Sequence, residues 1–141
     1  MTDPSRIPTI LCVDDELEFL KIQKEYFTER GFDVRTATNG TEALLQIAQE
    51  APNAVILDLL HPGLGGVATL EQIRRLNPNI VVIVISGVLN ALEMLEEAGV
   101  FEVAATFAKP VELDRILDAL VGAGVGPPKT PRGAAAGDPP N

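Results

Sequence analysis

The sequence predicts an α/β domain: a parallel sheet of five strands, doubly wound with helices on both faces. Three features predict it. Short apolar runs alternate with longer amphipathic runs five times along the chain. Several of the apolar runs are continuous, as strands buried on both faces require. No internal repeat breaks the series, and alternation of this kind implies a parallel sheet covered on both sides.

The elements follow in order. Ile10 to Val13 is the first apolar run and ends at Asp14, Asp15 and Glu16. A helix comes next, with Phe19, Leu20, Tyr26 and Phe27 two turns apart on one face, and Gly31 stops it. Asp33 to Ala37 is half-polar and suits a sheet edge; Asn39-Gly40 is a turn, and Ala43, Leu44 and Ile47 line a second helix. Ala54 to Leu57 is a buried strand ending at Asp58, and the Pro62-Gly63 and Gly65-Gly66 pairs mark a loop. Leu70, Ile73, Arg74 and Leu76 predict a third helix, closed by Asn77-Pro78. Ile80 to Ile85 is an unbroken β-branched run, a strand buried on both faces, ending at Ser86-Gly87. Leu89 to Ala98 predicts a fourth helix with a stop at Gly99, and Val103 to Ala108 a weaker fifth strand ending at Lys109-Pro110. Leu113, Ile116, Leu117 and Leu120 form the stripe of the last helix. From Gly122 the composition collapses to Gly, Pro and Ala, so 1–7 is expected to be a flexible N-terminus, 8–121 the folded domain and 122–141 a disordered tail or linker.

Composition narrows the function. The 141 residues make one ordinary domain, 46% hydrophobic but only 4% aromatic, so the core is aliphatic. A net charge of −9 argues against direct nucleic-acid binding, which needs a basic face. Cys12 is the only cysteine and sits in an apolar run, so it reads as a small buried hydrophobe and excludes an internal disulfide. Asp3, Arg6 and two prolines near the start do not make a signal peptide, and no apolar run approaches the roughly 20 residues that span a bilayer. The expectation is a cytoplasmic protein with no membrane partner.

Ligands of parallel α/β sheets bind outside the carboxyl ends of the strands. The first strand delivers Asp14 and Asp15 there, the third Asp58, the fourth Ser86 and the fifth Lys109. Each has a plain reading alone: acids at a helix start, a loop cap, a turn serine, a solvated lysine. Together they describe phosphoryl transfer to a carboxylate. Three close acids repel one another, and a Mg²⁺ ion resolves that conflict by taking carboxylate and phosphate oxygens. Asp58 can attack phosphorus while Lys109 and the Ser86 hydroxyl hold the equatorial oxygens.

The sequence resembles the receiver domain of bacterial two-component response regulators. The resemblance rests on Leu11-Cys12-Val13-Asp14-Asp15-Glu16, Asn39-Gly40-Thr41-Glu42-Ala43-Leu44, Val55-Ile56-Leu57-Asp58 with Pro62 and Gly66, Ile85-Ser86-Gly87 and Lys109-Pro110, in order over about residues 8–121. It implies a flavodoxin-like sheet of order 2-1-3-4-5. It implies Asp58 as phosphoacceptor, and a Mg²⁺ (or Mn²⁺) site from Asp14, Asp15, Asp58 and the Leu60 backbone carbonyl. Ser86 becomes the switch hydroxyl and Lys109 the phosphate-binding lysine, with a cis Lys109-Pro110 bond. The pattern departs in three places. Thr106 stands where the family has an aromatic switch residue, with Phe107 adjacent; His61 replaces a usual Met; and the stretch from Gly99 to Lys109 is longer, that from Ser86 to Gly99 shorter.

The resemblance implies a phosphorylation-controlled switch rather than an enzyme with its own substrate. Its phosphoryl donor would be a sensor histidine kinase or a histidine phosphotransfer protein, because His61 is the only histidine and no donor of the chain's own. Its output would be a target protein or an output domain outside this sequence, the chain being a monomer or weak homodimer. The alternative is a pseudo-receiver that binds proteins without using Asp58. An aspartate-dependent phosphohydrolase is disfavoured, since its second acid, two residues after the nucleophile, is Leu60 here.

Overall fold

Period-two alternation along buried strands sends apolar side chains to both faces of a sheet, and each face then needs its own helices. The structure, a computed structural model, describes residues 7–59, 65–87, 93 and 102–127. In chain order it contains β1 (Thr9–Val13), α1 (Leu17–Glu29), β2 (Asp33–Ala37), α2 (Gly40–Gln49), β3 (Ala54–Asp58), α3 (Gly66–Leu76), β4 (Val81–Ser86), β5 (Ala105–Ala108) and α4 (Leu113–Gly122). The strands pair in parallel in the order β2-β1-β3-β4-β5, which is the expected 2-1-3-4-5 sheet.

The alternation sorts the core as the physics requires. Leu11, Val13, Val55, Leu57, Val82 and Val84 pack with Ala43 and Ile47 of α2 and Leu70 and Ile73 of α3. Ile10, Cys12, Ile56, Ile83 and Ile85 take the opposite face with Leu20 and Phe27 of α1 and Ile116 and Leu120 of α4. Cys12 is fully buried, and burial together with the charge of Asp14 pushes its thiol pKa far up, so it is the inert hydrophobe expected.

Helix ends are written locally. α1 ends in a Schellman turn: the Gly31 N–H donates to the Thr28 carbonyl and the Phe32 N–H to that of Phe27, with Gly31 at φ +96°. The Asn39 side chain caps α2 by accepting from the Glu42 N–H at 2.8 Å. α4 closes like α1. Gly124 sits at φ +88°, its N–H donates to Val121, and the Val125 N–H donates to Leu120. The described chain continues past this turn to Pro127, and Val125 is buried in the α1/α4 face of the core.

β5 begins two residues later than the expected Val103, though the Ala104 N–H already donates to the Val82 carbonyl at 2.7 Å. The helix expected over 89–98 lies outside the described residues except for Glu93, which is helical. Of the expected tail over 122–141, residues 122–127 are described and the rest lie outside, as do residues 1–6 of the expected N-terminus. Among the described residues no helix is long and apolar enough to cross a membrane.

Candidate functional site

The polar residues at the strand ends converge because the strands are parallel and in register. Asp14 follows β1 directly, and its N–H donates to the Ala37 carbonyl of β2 at 3.1 Å. Asp58 is the last residue of β3, and the ladder continues past it through the Leu59 N–H to the Ile85 carbonyl at 3.1 Å. Ser86 ends β4, and its carbonyl accepts from the Lys109 N–H at 3.0 Å, which places the start of the β5–α4 loop beside it. The Lys109-Pro110 bond is cis, as the resemblance implies.

Three carboxylates gather here. Oxygens of Asp14, Asp15 and Asp58 lie within 4.8 Å of one another, Asp14 and Asp58 buried and Asp15 exposed. The donors are all hard oxygens from acids whose mutual repulsion a divalent cation relieves, so the set suits Mg²⁺ or Mn²⁺. The Leu60 carbonyl, expected as a further ligand, lies outside the described residues, as does His61.

Lys109 supplies the opposite charge. Its ammonium donates to Glu16 at 2.8 Å, Asp14 at 2.9 Å and Asp58 at 3.3 Å, and lies 5.3 Å from the centre of the Phe19 ring. Burial works against its charge. The hydrogen bonds to Glu16 and Asp14 and the fields of Asp14 and Asp58 outweigh that and raise its pKa above the ordinary lysine range. Glu16 responds in the opposite sense, its pKa lowered by the hydrogen bond and charge of Lys109.

Lys109 thus contacts Asp14 and Asp58 directly, Asp15 adds a carboxylate oxygen within 4.8 Å of theirs, and Ser86 is buried at the end of β4. Thr106 and Phe107 part company. Thr106 pairs with Val84 and shares its face of the sheet, the face to which alternation also assigns Ser86. The Thr106 hydroxyl oxygen is buried with no hydrogen-bond partner among the described residues. Phe107 pairs with Ile85 and packs into the other face, with Arg115 5.4 Å over its ring. Sequence reasoning passed over Glu16 and Phe19. Glu16 stood out only as an acid at a helix start, and its partner lies 93 residues away along the chain.

Comparison with known proteins agrees with this geometry. The family model for the response regulator receiver domain matches residues 10–121. Sporulation initiation phosphotransferase F of Bacillus subtilis is 33% identical over 111 residues, covering 79% of this chain and 89% of that protein. Other curated relatives are longer, and the chain spans between 25% and 45% of several of them. A CheY-like receiver domain from Methanospirillum hungatei superposes with a TM-score of 0.74 at 26% identity, covering 84% of this chain and 98% of that one. A response regulator from Burkholderia pseudomallei, described with a phosphorylated aspartic acid, a calcium ion and citrate, gives a TM-score of 0.72 at 25% identity over 83% of this chain and 69% of its own.

Proposed function

The chain belongs to the response regulator receiver domain family, and from that premise we propose that Asp58 accepts a phosphoryl group from a histidine of a partner kinase or phosphotransfer protein. The observation that carries this is the contact of the Lys109 ammonium with Asp58 at 3.3 Å, inside a cluster that also holds Asp14 and Asp15. A phosphorylated aspartic acid described in the similar Burkholderia pseudomallei protein supports the same assignment.

The chain's own residues account for the chemistry. A carboxylate oxygen of Asp58 attacks phosphorus, a new P–O bond forms, and the P–N bond to the donor histidine breaks with its electrons returning to the imidazole. The Lys109 ammonium, 3.3 Å from Asp58, sets a positive charge against the acids gathered there. Lys109 is placed to follow the charge as it moves onto the phosphoryl oxygens, and the buried Ser86 hydroxyl at the end of β4 is our choice for the group that senses them. Asp14, Asp15 and Asp58, with the Leu60 carbonyl, would hold a Mg²⁺ or Mn²⁺ ion, whose charge supplies further stabilisation to those oxygens.

The donor's approach has a physical rationale. Beside Lys109 lies an open cleft lined by Phe19, Ile22, Pro110 and Val111, and Leu17 and Ile22 of α1 are 68% and 51% exposed. These apolar side chains, with Glu16 and Glu18 also lining the cleft, suit an amphipathic partner helix carrying the phosphohistidine. The phosphorylated domain then favours one of two shapes, read by a target protein or an output domain.

The test is incubation with acetyl phosphate and Mg²⁺, followed by intact-mass measurement. The wild type should gain one phosphoryl group and Asp58→Asn none. A wild-type chain that takes up no phosphoryl group under these conditions, while still folded, is the pseudo-receiver instead. Sustained turnover of phosphate esters would point to a phosphohydrolase.

A further inference from the structure

Lys109 has three N–H donors on its ammonium, and three carboxylates lie within their reach: Glu16 at 2.8 Å, Asp14 at 2.9 Å and Asp58 at 3.3 Å. A phosphoryl group on Asp58 presents several oxygens to the same ammonium, so it competes with the contacts that hold the lysine elsewhere. The three are not equal. Asp58 is the group esterified, so its contact passes to the phosphoryl oxygens, whereas Asp14 is buried and losing its partner there is costly. The Glu16 side chain is 63% exposed, so water takes the place of the lysine there with little loss.

One further contact and one absent one bear on the position of Glu16. Its backbone N–H donates to Asp14 Oδ1 at 2.9 Å, which ties the residue to the acid cluster. It occupies the N-cap position of α1, yet its side chain makes no capping hydrogen bond. The N-terminal end of a helix attracts a carboxylate through its dipole. Here the Glu16 carboxylate turns to Lys109 instead.

We propose that Glu16 is a latch on Lys109, competing with the phosphoryl group on Asp58 for the ammonium and released when Asp58 is modified. The inference rests on the assignment of Asp58 above. Glu16 acts through Lys109 and touches no reacting atom, so it is a positioning residue. It sets how readily the site takes up a phosphoryl group, and it does so through charge.

The experiment titrates the full chain with beryllofluoride at saturating Mg²⁺ and counts the Asp58 adduct by fluorine NMR. Mg²⁺ affinity is measured separately by calorimetry, so that metal occupancy is known for each variant. Glu16→Gln keeps the size and polarity of the side chain and removes its charge. It should tighten the adduct about two- to five-fold, the range set by exposed ion pairs. Glu16→Ala should do the same, because charge and not packing is what matters. In roughly 1 M salt the difference between wild type and variants should shrink towards none, as screening weakens the exposed contact; a purely structural role would show no such salt dependence. A wild-type adduct of ordinary strength with equal or weaker binding in Glu16→Gln overturns the latch alone. Absence of any adduct on the wild type overturns the Asp58 assignment and the latch with it.

Discussion

Tyr26 is the sole tyrosine of the chain and there is no tryptophan, so one phenol reports on the contact between α1 and α4 without interference. Its hydroxyl donates to the carboxylate of Asp114 in the first turn of α4, while the Arg30 guanidinium stacks 3.6 Å over its ring. The hydrogen bond to Asp114 holds the phenol in its neutral form and raises its pKa; partial desolvation acts in the same sense and the Arg30 charge against it. A folded-state pKa above the unfolded value near 10 means that the folded chain holds the proton more tightly. The contribution to stability is therefore complete below about pH 10 and lost as the pH climbs through the folded-state pKa. Titration followed by ultraviolet absorbance should give a midpoint above that of free tyrosine. Asp114→Ala should bring it down, and matching midpoints in the two proteins would show that the contact does not form in solution.

At the scale of elements, the start of α3 shows why a glycine belongs next to the site. A β-carbon on Gly66 would lie 2.3 Å from the Leu59 Cα and 2.4 Å from its carbonyl oxygen, both backbone atoms of the residue after Asp58. The Gly66 N–H also donates to that carbonyl at 3.2 Å, so helix and strand end touch directly. Gly66→Ala must move one of them and should cost about 3 kcal/mol, at the upper end for overpacking. Gly65→Ala, with nothing within 4 Å, should cost less than about 1 kcal/mol. Urea unfolding of both variants checks the pair, and equal losses would contradict the close approach. The sequence marked Gly66 only as part of a turn-rich loop and a family spacing, because a close approach between residues 59 and 66 leaves no periodic trace. Elements with a period were legible: the β-branched run before Ser86, and the stripe of Ile116 and Leu120. So were Asp58 and Lys109, since a polar residue ending an apolar strand stands out. Glu16 was not, because its partner, Lys109 in the loop after β5, reaches it only once the chain is folded. The separation of Thr106 from Phe107 onto opposite faces followed from strand parity, but only once β5 was registered on β4.

At the scale of the whole molecule, a βα repeat demands a parallel sheet but leaves the strand order open, and the order came from the resemblance rather than from periodicity. What periodicity hid more fully is the way the chain leaves the domain. Gly/Pro/Ala composition after residue 121 reads as tail, since no stripe of apolar residues continues there. The Schellman turn at Gly124 nevertheless carries Val125 back onto the core beside Phe27 and Phe32, and brings Pro127 to the α1–β2 turn. A β-carbon on Gly31 would meet Pro127 at 3.0 Å, so the two ends of this contact are matched in shape. We therefore propose that the folded unit extends to about Pro127. The consequence is quantitative. Val125 is 6% exposed, and trimming it to alanine removes the equivalent of two buried methylene groups and leaves a small cavity, a loss of about 1–3 kcal/mol. Val121 is apolar too but 55% exposed on α4, and Val121→Ala should stay within about 0.5 kcal/mol of the wild type. In urea the Val125→Ala midpoint should fall with the slope unchanged, because the same surface is exposed on unfolding. If Val125→Ala matched Val121→Ala, residues 123–127 would add nothing to the core and the folded unit would end with α4.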